Sequence, residues 1–307
     1  MTRLNGNDWI PESLRGAVIA LGNFDGFHLG HQAVAKVATD WAKAEGRPAI
    51  IATFDPHPVR HFKPDAEPFR LTSLDQRERL FTAAGADAML VFEFGADLAN
   101  TSAEDFVEKL LVERFGAAGV VTGEDFTFGH KRGGNMDIMR DLGAPLGLSA
   151  KTVGPVSDTE GVISSSRIRE ALQAGDCETA TRLLTRPFAI AGQVIHGDKN
   201  GRKLGYPTAN VDMSHYLRPK YGIYAVRGRL PDGRVLNGAA NLGIRPTFDP
   251  PKELLEPYFF DFAEDLYGQT IEVELHKFLR GEQKFGNLDA LMEQMKHDCD
   301  AAREYLA

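Results

Sequence analysis

The feature that most constrains this chain is a buried apolar strand followed by a glycine-rich loop and an amphipathic helix. The apolar run Ala17–Gly22 has the continuous hydrophobicity of a strand covered on both faces. The loop Asn23–Leu29 follows, and apolar residues then recur at helical spacing from Ala33 to Trp41. A glycine loop at the start of a helix presents free N–H groups and the positive end of the helix dipole to an anion. The order therefore predicts an α/β domain with a phosphate site after its first buried strand.

Strands and helices continue to alternate as far as residue 160. Further strands are predicted at Ala49–Phe54, Met89–Phe94 and Gly119–Thr122, and a helix opens at Thr101–Asp105. Another helix begins near Ser73, which stands three residues before Gln76 as in a capping box. This alternation predicts a parallel sheet in a Rossmann-like α/β domain. Ser164–Leu184 is predicted to be a helical segment that closes this half, and Pro187 marks the boundary because proline cannot continue a helix.

After Phe188 the pattern changes to short β runs separated by turns. The predicted strands are Ala189–Ile195, Tyr206–Val211, Gly222–Leu230, Val235–Asn241, Tyr258–Phe262 and Thr270–Phe278. Several short strands at this spacing predict a small barrel or sandwich. A final helix carries apolar residues on one face from Leu288 to Leu306, with Asn287 as its N-cap. The predicted domains are residues 1–186 and 187–307.

Composition and charge exclude several classes of protein. The 307 residues accommodate about two domains, and the 43% hydrophobic and 25% charged composition is that of a globular protein. No run reaches the roughly 18 apolar residues of a membrane helix. Met1–Arg15 lacks a signal-peptide core, so we expect a cytoplasmic protein with no membrane partner. The net charge of −8 disfavours nucleic acid as a partner. Cys177 and Cys299 are too isolated for a disulfide scaffold or a cysteine zinc site.

The first loop carries the residues expected of a phosphate site. The segment Gly22–His31 reads GNFDGFHLGH. Gly22 and Gly30 let the backbone approach a phosphate closely. His28 and His31 can donate hydrogen bonds to a phosphate as charge spreads over it in a transition state. The alternative is a glycine-rich turn with two surface histidines, which the position between a strand and a helix disfavours.

This run resembles the signature of the HxGH nucleotidyltransferase superfamily, in the form found in bacterial FAD synthetases. Three further segments are similar to that family, namely TFDPHP at 53–58, GEDFTFG at 123–129 with Arg132 and Gly134, and ISSSRIR at 163–169. Ser166 replaces the usual Thr and keeps a hydroxyl. The resemblance assigns ATP and phosphate binding to Gly22, Phe24, Asp25, Gly30, Ser164, Ser165 and Arg169. It assigns flavin or nucleotide contact to His57, Asp125, Phe128 and Arg132.

Several of these residues also have a purely structural interpretation. Arg169 near a helix start suits a leaving pyrophosphate, because arginine grips phosphate bidentately. Ser164, however, is equally suited to cap the helix that follows, and Arg167 to lie on it in solvent. Asp125 can be a turn carboxylate, and His57 can brace the proline turn. The residue types alone leave these alternatives open.

A second glycine- and base-rich loop precedes a strand that carries Thr208 and Asn210. The segment reads HGDKNGRKLGYPTAN at 196–210 and is not a Walker loop, because GxxxxGK followed by Ser or Thr is absent. Oxygen ligands such as those of Thr208 and Asn210 suit Mg²⁺, which commonly bridges substrate phosphates. The alternative is a charged hairpin loop followed by an ordinary strand.

This second segment closely resembles the riboflavin kinase signature, whose core is GxPTAN. NLGIRPTF at 241–248 is similar to another motif of that family, and the stretch from Glu256 to DLYG at 265–268 resembles the strand with its catalytic Glu. The resemblance assigns the base to Glu256, the metal to Thr208 and Asn210, the ATP phosphates to Gly197, Lys203 and Gly205, and flavin or nucleotide contact to Arg280. Surface charges are the alternative for Glu256, Lys203 and Arg280. Pro257, Tyr258 and Gly281 depart from the family pattern in the flavin site.

Over about residues 15–306 the chain resembles the bacterial bifunctional riboflavin kinase/FMN adenylyltransferases. The resemblance implies an α/β domain of Rossmann type and a small β-barrel with a terminal helix. It implies phosphorylation of riboflavin to FMN, then adenylyl transfer to FMN giving FAD and pyrophosphate, with His28 and His31 stabilising the transition state. The expected partners are ATP, riboflavin and FMN, with Mg²⁺ as cofactor; the sequence carries no signal for oligomeric state. Two other functions stay open, a different HxGH transferase with an unrelated β-domain and a flavin-binding protein without chemistry.

Overall fold

The structure, a computed structural model, describes residues 1–196, 206–245 and 252–307. The chain forms two compact units. The first unit comprises Met1–Glu67 and Leu74–Ser164, and the second comprises Pro68–Ser73 and Ser165–Ala307. A parallel sheet with helices forms the first, and a closed barrel forms the core of the second. The predicted fold class, α/β plus β-barrel, is confirmed.

Six parallel strands and the helices between them build the first unit. The strands are β1 (Thr2–Asn5), β2 (Val18–Leu21), β3 (Ala49–Asp55), β4 (Ala88–Glu93), β5 (Gly119–Gly123) and β6 (Ser149–Val153). The helices are α1 (Leu29–Glu45), α2 (Pro58–Phe62), α3 (Leu74–Ala83), α4 (Ala96–Asn100), α5 (Ala103–Asp105, continuing as a π-helix over Phe106–Arg114) and α6 (Met136–Gly143). Short 3-10 turns occupy Glu12–Leu14, His130–Arg132 and Ala144–Leu146, and a small hairpin pairs β7 (Ser157–Asp158) with β8 (Gly161–Val162).

The strand order of the sheet is β1-β4-β3-β2-β5-β6. All four residues of β2 are buried, as its apolar run predicts. From β2 the chain adds β3 and then β4 on one side, whereas β5 and β6 lie on the other. The order therefore reverses between β2 and β5, and ligands of open α/β sheets bind at the carboxyl ends of the strands at such a point. The edge strands β1 and β6 were not predicted, because both are short and partly exposed.

Two apolar clusters cover the two faces of this sheet. Ile19 and Leu21 of β2 belong to one cluster, and Val18 and Ala20 to the other, as strand alternation requires. Helix α1 contributes Val34, Ala35, Ala38 and Ala42 to the second cluster. The amphipathic spacing that predicted α1 thus reports its packing against the sheet.

In the part of the second unit that the structure describes, the elements are two helices, six strands and a terminal helix. The helices are α7 (Ser165–Ala174), α8 (Cys177–Leu184) and α9 (Leu288–Leu306). The strands are β9 (Phe188–Ile195), β10 (Asn210–Asp212), β11 (Gly222–Arg229), β12 (Val235–Arg245), β13 (Lys252–Phe259) and β14 (Thr270–Arg280). They close in the order β10-β13-β12-β11-β14-β9, and every pairing is antiparallel.

Close packing inside the barrel requires a glycine opposite a large ring. A Cβ on Gly228 would lie 2.3 Å from the ring of Phe259. On the outside, α9 packs Ala302 and Leu306 against β11 and β12. Asn287 caps α9 as predicted, because its side chain accepts a hydrogen bond from the Ala290 N–H at 2.8 Å.

Two strand predictions need correction. The strand predicted at Tyr258–Phe262 runs instead over Lys252–Phe259, where charged residues and Pro257 hide the apolar alternation. The strand predicted from Tyr206 begins only at Asn210.

The helical segment predicted at Ser164–Leu184 forms α7 and α8, and both belong to the second compact unit. Helix α8 packs against β9 and β14 of the barrel. The division into residues 1–186 and 187–307 concerns which part carries which activity, and it stays a prediction.

Candidate active sites

The glycine loop after β2 holds an unusual backbone conformation. Phe24, Gly26 and Phe27 have positive φ values of 48°, 87° and 44°. A bulky residue rarely adopts this region, because it strains the backbone. The rings of Phe24 and Phe27 are only 1% and 3% exposed, and both pack edge-on against Phe81 of α3. Burial of these rings stabilises the conformation of the loop.

The two predicted histidines meet at the start of α1. His28 is the N-cap, and its Nδ1 accepts the Gly30 N–H at 3.2 Å. The imidazoles of His28 and His31 stack with centroids 3.7 Å apart. A Cβ on Gly30 would lie 3.1 Å from the His28 ring, so a larger residue at position 30 would crowd that ring. Because Nδ1 accepts a hydrogen bond, a neutral His28 carries its proton on Nε2, where it can serve as a donor.

The other predicted residues of the first unit lie on both sides of the switch point. Asp25 is buried in the loop after β2, whereas Asp125 and Arg132 are exposed in the loop after β5. The carbonyl of Ile163 lies 3.5 Å from the position of a Gly30 Cβ, which brings the residue before Ser164 against the histidine loop. Near the end of β2 the first unit therefore brings together the glycine loop, the loop after β5, Ile163, and Thr53 of the 53–58 motif, whose hydroxyl donates to the Asn23 carbonyl at 2.7 Å.

Two predicted contact residues have structural partners. His57 is the N-cap of α2, and its Nδ1 accepts the Val59 N–H at 3.2 Å. Phe128 is 6% exposed and packs against Phe106 and Phe126. Their flavin or nucleotide contacts stay predictions.

Ser165 and Arg169 begin the second unit. The Nε of Arg169 donates to the carbonyl of Phe69 at 2.9 Å, and its guanidinium lies 5.3 Å from the centroid of the Phe69 ring. Both contacts are made within the second unit, which includes the segment Pro68–Ser73. The predicted phosphate-binding role of Ser165 and Arg169 stays a prediction.

In the barrel, three polar residues stand in one row across neighbouring strands. Asn241 of β12 pairs with Glu256 of β13, and its amide donates to the Glu256 carboxylate at 3.3 Å. On the other side Val211 pairs with Leu255, so Asn210 is in register with Glu256. Side chains in one such row lie about 5 Å apart. The sequence brought forward Asn210 and Glu256 as site residues, whereas the contact made by Asn241 emerges only from the strand register.

A second carboxylate on β13, that of Glu253, is hydrogen-bonded to residues outside the polar row. Glu253 accepts hydrogen bonds from Tyr221 and from Arg218, the latter at 2.7 Å. Desolvation acts to raise the pKa of Glu253, but the bonds from Tyr221 and Arg218 outweigh it and hold that pKa below its ordinary value. Glu253 is three residues from Glu256 and therefore on the opposite face of the strand. Glu256 is thus the carboxylate of β13 that stands in the polar row.

The predicted metal ligands border this row. Asn210 is 7% exposed, and Thr208 precedes it in a segment held by a bond of 3.0 Å from the Ala209 N–H to the Pro257 carbonyl. Among the residues that the structure describes, no three His, Cys, Asp or Glu side chains are grouped to hold a metal ion. A hydroxyl, an amide oxygen and a neighbouring carboxylate are hard donors, and Mg²⁺ with few protein ligands and several phosphate or water ligands fits such a set.

Tyr258, one of the residues that depart from the family pattern, lies two residues after Glu256 and belongs to an aromatic group. Tyr258 packs edge-on against Tyr206 and Phe260, with ring centroids 5.2 and 5.9 Å away. Burial and neighbouring ionisable groups raise the pKa of Tyr206. A Cβ on Gly281 would meet nothing within 4 Å, so the structure leaves space for a side chain at this position.

Arg280 makes a bidentate ion pair with α9. Its Nε and Nη2 donate to the two carboxylate oxygens of Asp298 at 2.8 and 2.6 Å, and Gln294 donates to the same carboxylate at 3.0 Å. This pair fastens the end of β14 to the terminal helix. The predicted flavin contact of Arg280 stays a prediction. Gly197, Lys203 and Gly205, the predicted phosphate loop, lie outside the described residues.

Comparison with known proteins gives a separate match for each half. The family model described as FAD synthetase matches residues 10–167, and the model described as riboflavin kinase matches residues 184–306. Relatives from Pseudomonas fluorescens, Bacillus subtilis and Haemophilus influenzae are 39%, 38% and 36% identical. These alignments cover 95–97% of this chain and 94–95% of the relatives. All three are named bifunctional riboflavin kinase/FMN adenylyltransferase.

A solved structure shares the whole architecture. It is described as a macrolide-efflux protein from Streptococcus pneumoniae, with a TM-score of 0.87, 29% identity and 99% coverage of both chains. In the present chain, within residues 1–196, 206–245 and 252–307, no helix is both long and apolar enough to span a membrane. The two family models and the near full-length relatives agree, so the chain belongs to the bifunctional riboflavin kinase/FMN adenylyltransferase family.

Proposed function

We propose that this chain makes FMN and then FAD, at two separate sites. In the first step ATP phosphorylates riboflavin, giving FMN and ADP. In the second step a further ATP transfers its adenylyl group to FMN, giving FAD and pyrophosphate. The observation that carries the proposal is that each half matches its own family model and holds its own polar constellation.

The barrel, within residues 187–307, carries the kinase reaction. The ribityl 5′-hydroxyl oxygen of riboflavin attacks the γ-phosphorus of ATP, and the bond to the ADP oxygen breaks. Glu256 takes the hydroxyl proton, and the Asn241 amide holds the carboxylate in place. Thr208 and Asn210 would hold Mg²⁺, which when bound neutralises phosphate charge. Gly197, Lys203 and Gly205 are the proposed contacts of the ATP phosphates, and Arg280 contributes to the flavin or nucleotide site.

The α/β half, within residues 1–186, carries adenylyl transfer. A phosphate oxygen of FMN attacks the α-phosphorus of ATP, and pyrophosphate leaves without a covalent enzyme intermediate. His28 and His31 donate hydrogen bonds to the α-phosphate as its negative charge grows. Backbone N–H groups of the loop and the dipole of α1 hold the ATP phosphates. Gly22, Phe24, Asp25 and Gly30 shape that loop.

The remaining predicted residues complete the adenylyl site. Ser164, Ser165 and Arg169 receive the leaving pyrophosphate, because hydroxyls and a guanidinium at a helix start suit an anion. His57, Asp125, Phe128 and Arg132 contact flavin or nucleotide. The substrates ATP, riboflavin and FMN are the expected partners, and a cytoplasmic location is part of the proposal.

A chromatographic assay tests this function. The purified chain is incubated with riboflavin, ATP and Mg²⁺, and the flavins are separated over time. The proposal expects FMN first and FAD later, and expects a chelator of divalent cations to stop both. If supplied FMN yields no FAD, the adenylyl assignment is wrong. If riboflavin yields no FMN, the kinase assignment is wrong.

A further inference from the structure

We propose that Arg77 is a positioning residue for adenylyl transfer, which fixes the start of the histidine loop against the end of β3. This inference rests on the proposed function, and it goes beyond the motif residues that suggested that function. Arg77 lies on α3, outside every motif, in a stretch of sequence rich in charged residues. It is nevertheless only 2% exposed, and it is among the largest fully buried side chains.

The contacts of Arg77 converge on two segments. Its Nη1 donates to the Thr53 hydroxyl at 2.7 Å and to the Asn23 carbonyl at 3.3 Å. Its Nη2 lies 3.8 Å from the Asp55 carboxylate. Asn23 opens the loop that carries the two histidines, and Asp55 ends the strand that leads to His57. One guanidinium therefore joins the two segments that carry predicted site residues after β2 and β3.

Thr53 completes the connection. Its side chain is fully buried, and its hydroxyl donates to the Asn23 carbonyl at 2.7 Å while it accepts from Arg77. The Asn23 carbonyl thus receives two donors immediately before Phe24, where the backbone enters positive φ. Fixing this carbonyl fixes the direction in which the strained loop leaves β2.

A second residue on the same face of α3, Phe81, also contacts the histidine loop. Phe81 lies four residues after Arg77, so both side chains project from one side of the helix. The ring of Phe81 packs edge-on against Phe24 and Phe27. An apolar residue at position 77 would bury without an electrostatic penalty, whereas a buried guanidinium is unfavourable unless it is well paired. The charge is therefore best explained by the anchoring that it provides.

Lysine and methionine at position 77 separate anchoring from packing. Arg77→Lys keeps the charge but has a single nitrogen, which cannot both replace Nη1 at Thr53 and Asn23 and stand where Nη2 faces Asp55. Arg77→Met fills similar space with no donor. The control is Arg79→Lys, which changes an exposed arginine on the same helix. Thr53→Val removes the bridging hydroxyl while keeping the shape of the side chain.

Steady-state kinetics of both reactions is the readout. We expect kcat for FAD formation to fall about 10-fold in Arg77→Lys and about 100-fold in Arg77→Met, because small misplacement of reacting groups costs this much. KM for ATP and the rate of FMN formation should hardly change. Thr53→Val with Arg77→Lys should lose less than the product of the two single losses, because both act on one carbonyl. Equal losses in both reactions, or a change in KM alone, would overturn the proposal.

Amide hydrogen exchange tests the same claim without the reaction. In Arg77→Lys we expect faster exchange across Gly22–His31 than in Arg79→Lys, with barrel strands unchanged. Unchanged exchange in that loop would refute the positioning role. If the native chain makes no FAD, the proposed function fails on that result alone, and the exchange data still decide the role of Arg77.

Discussion

His28 and His31 stand in the first turn of helix α1, where a glycine loop ends, whereas Glu256 and Asn241 stand opposite each other on paired strands. The loop needs support from elsewhere, which Phe81 and Arg77 of α3 supply. The barrel needs only its hydrogen-bond register to align its polar row. We therefore expect substitutions on α3, away from the histidines, to reduce adenylyl transfer. The kinase reaction should respond mainly to substitutions within the polar row of the barrel.

Removal of the proposed base should have the largest effect. In Glu256→Gln we expect FMN formation to fall about 10³-fold, because general-base catalysis commonly contributes 10²–10⁴-fold. FAD formation from supplied FMN should be unchanged in the same preparation. The matched control is Glu264→Gln, an exposed carboxylate of the same unit. Normal kinase activity in Glu256→Gln would show that Glu256 is not the base of the kinase reaction.

Replacement of His28 should have the opposite effect, with loss of FAD formation and unchanged FMN formation. In His28→Asn we expect FAD formation to fall by about 10²–10³-fold, the usual cost of losing one donor to a transition-state oxyanion. Asparagine can still cap α1, so the fold should persist. FMN formation from riboflavin serves as the internal control. A folded variant that lost both reactions would show that the two sites are not separate.

Asn241 tests whether register alone places the barrel site. In Asn241→Ala we expect the kinase kcat to fall about 10-fold, because the carboxylate loses a hydrogen bond worth roughly 1–1.5 kcal/mol. In Asn241→Asp a second carboxylate beside Glu256 disfavours its ionised form, so the acid limb of the kinase rate should move to higher pH. FAD formation should keep its pH profile. Identical profiles for Asn241→Asp and the native chain would argue against the contact.

The ion pair between Arg280 and Asp298 should affect stability more than catalysis. Asp298→Asn leaves a largely buried guanidinium without its charge partner, which we expect to cost about 2 kcal/mol of unfolding free energy. Urea unfolding followed by a barrel-specific probe measures this cost. Glu264→Gln breaks a bidentate pair of similar geometry in solvent, and it should leave the unfolding midpoint in place. Equal effects of the two substitutions would mean that α9 is not fastened through Asp298.

Strong periodicity made much of the fold predictable. The continuous apolar run at 17–22 predicted β2 to within one residue at each end, and the apolar spacing from Ala33 to Trp41 falls inside α1, which extends four residues further in both directions. The edge strands β1 and β6 carry weaker signals because most of β1 and one face of β6 are exposed to solvent. The prediction placed strand β13 too late in the sequence, because Glu253, Glu256 and Pro257 interrupt its apolar pattern.

The site residues that belong to sequence motifs could be predicted, whereas those placed by tertiary contacts could not. His28 and His31 at the start of α1 could be named from the sequence, because their spacing and neighbouring glycines constitute a motif. Arg77 could not, because a charged residue among charged residues on a helix is typical of a solvent-exposed face. The contact of Asn241 with Glu256 depends on the register of β12 and β13, and the strand predicted from Tyr258 did not include Glu256.

The central claim is that one chain holds two independent sites, and a mixing experiment tests it most directly. His28→Asn and Glu256→Gln are each incubated with riboflavin, ATP and Mg²⁺, alone and in equal amounts together. We predict that His28→Asn stops at FMN, that Glu256→Gln leaves riboflavin unchanged, and that the mixture forms FAD. FMN that accumulates in the mixture without conversion to FAD, or the loss of both reactions in either folded variant, would contradict the account.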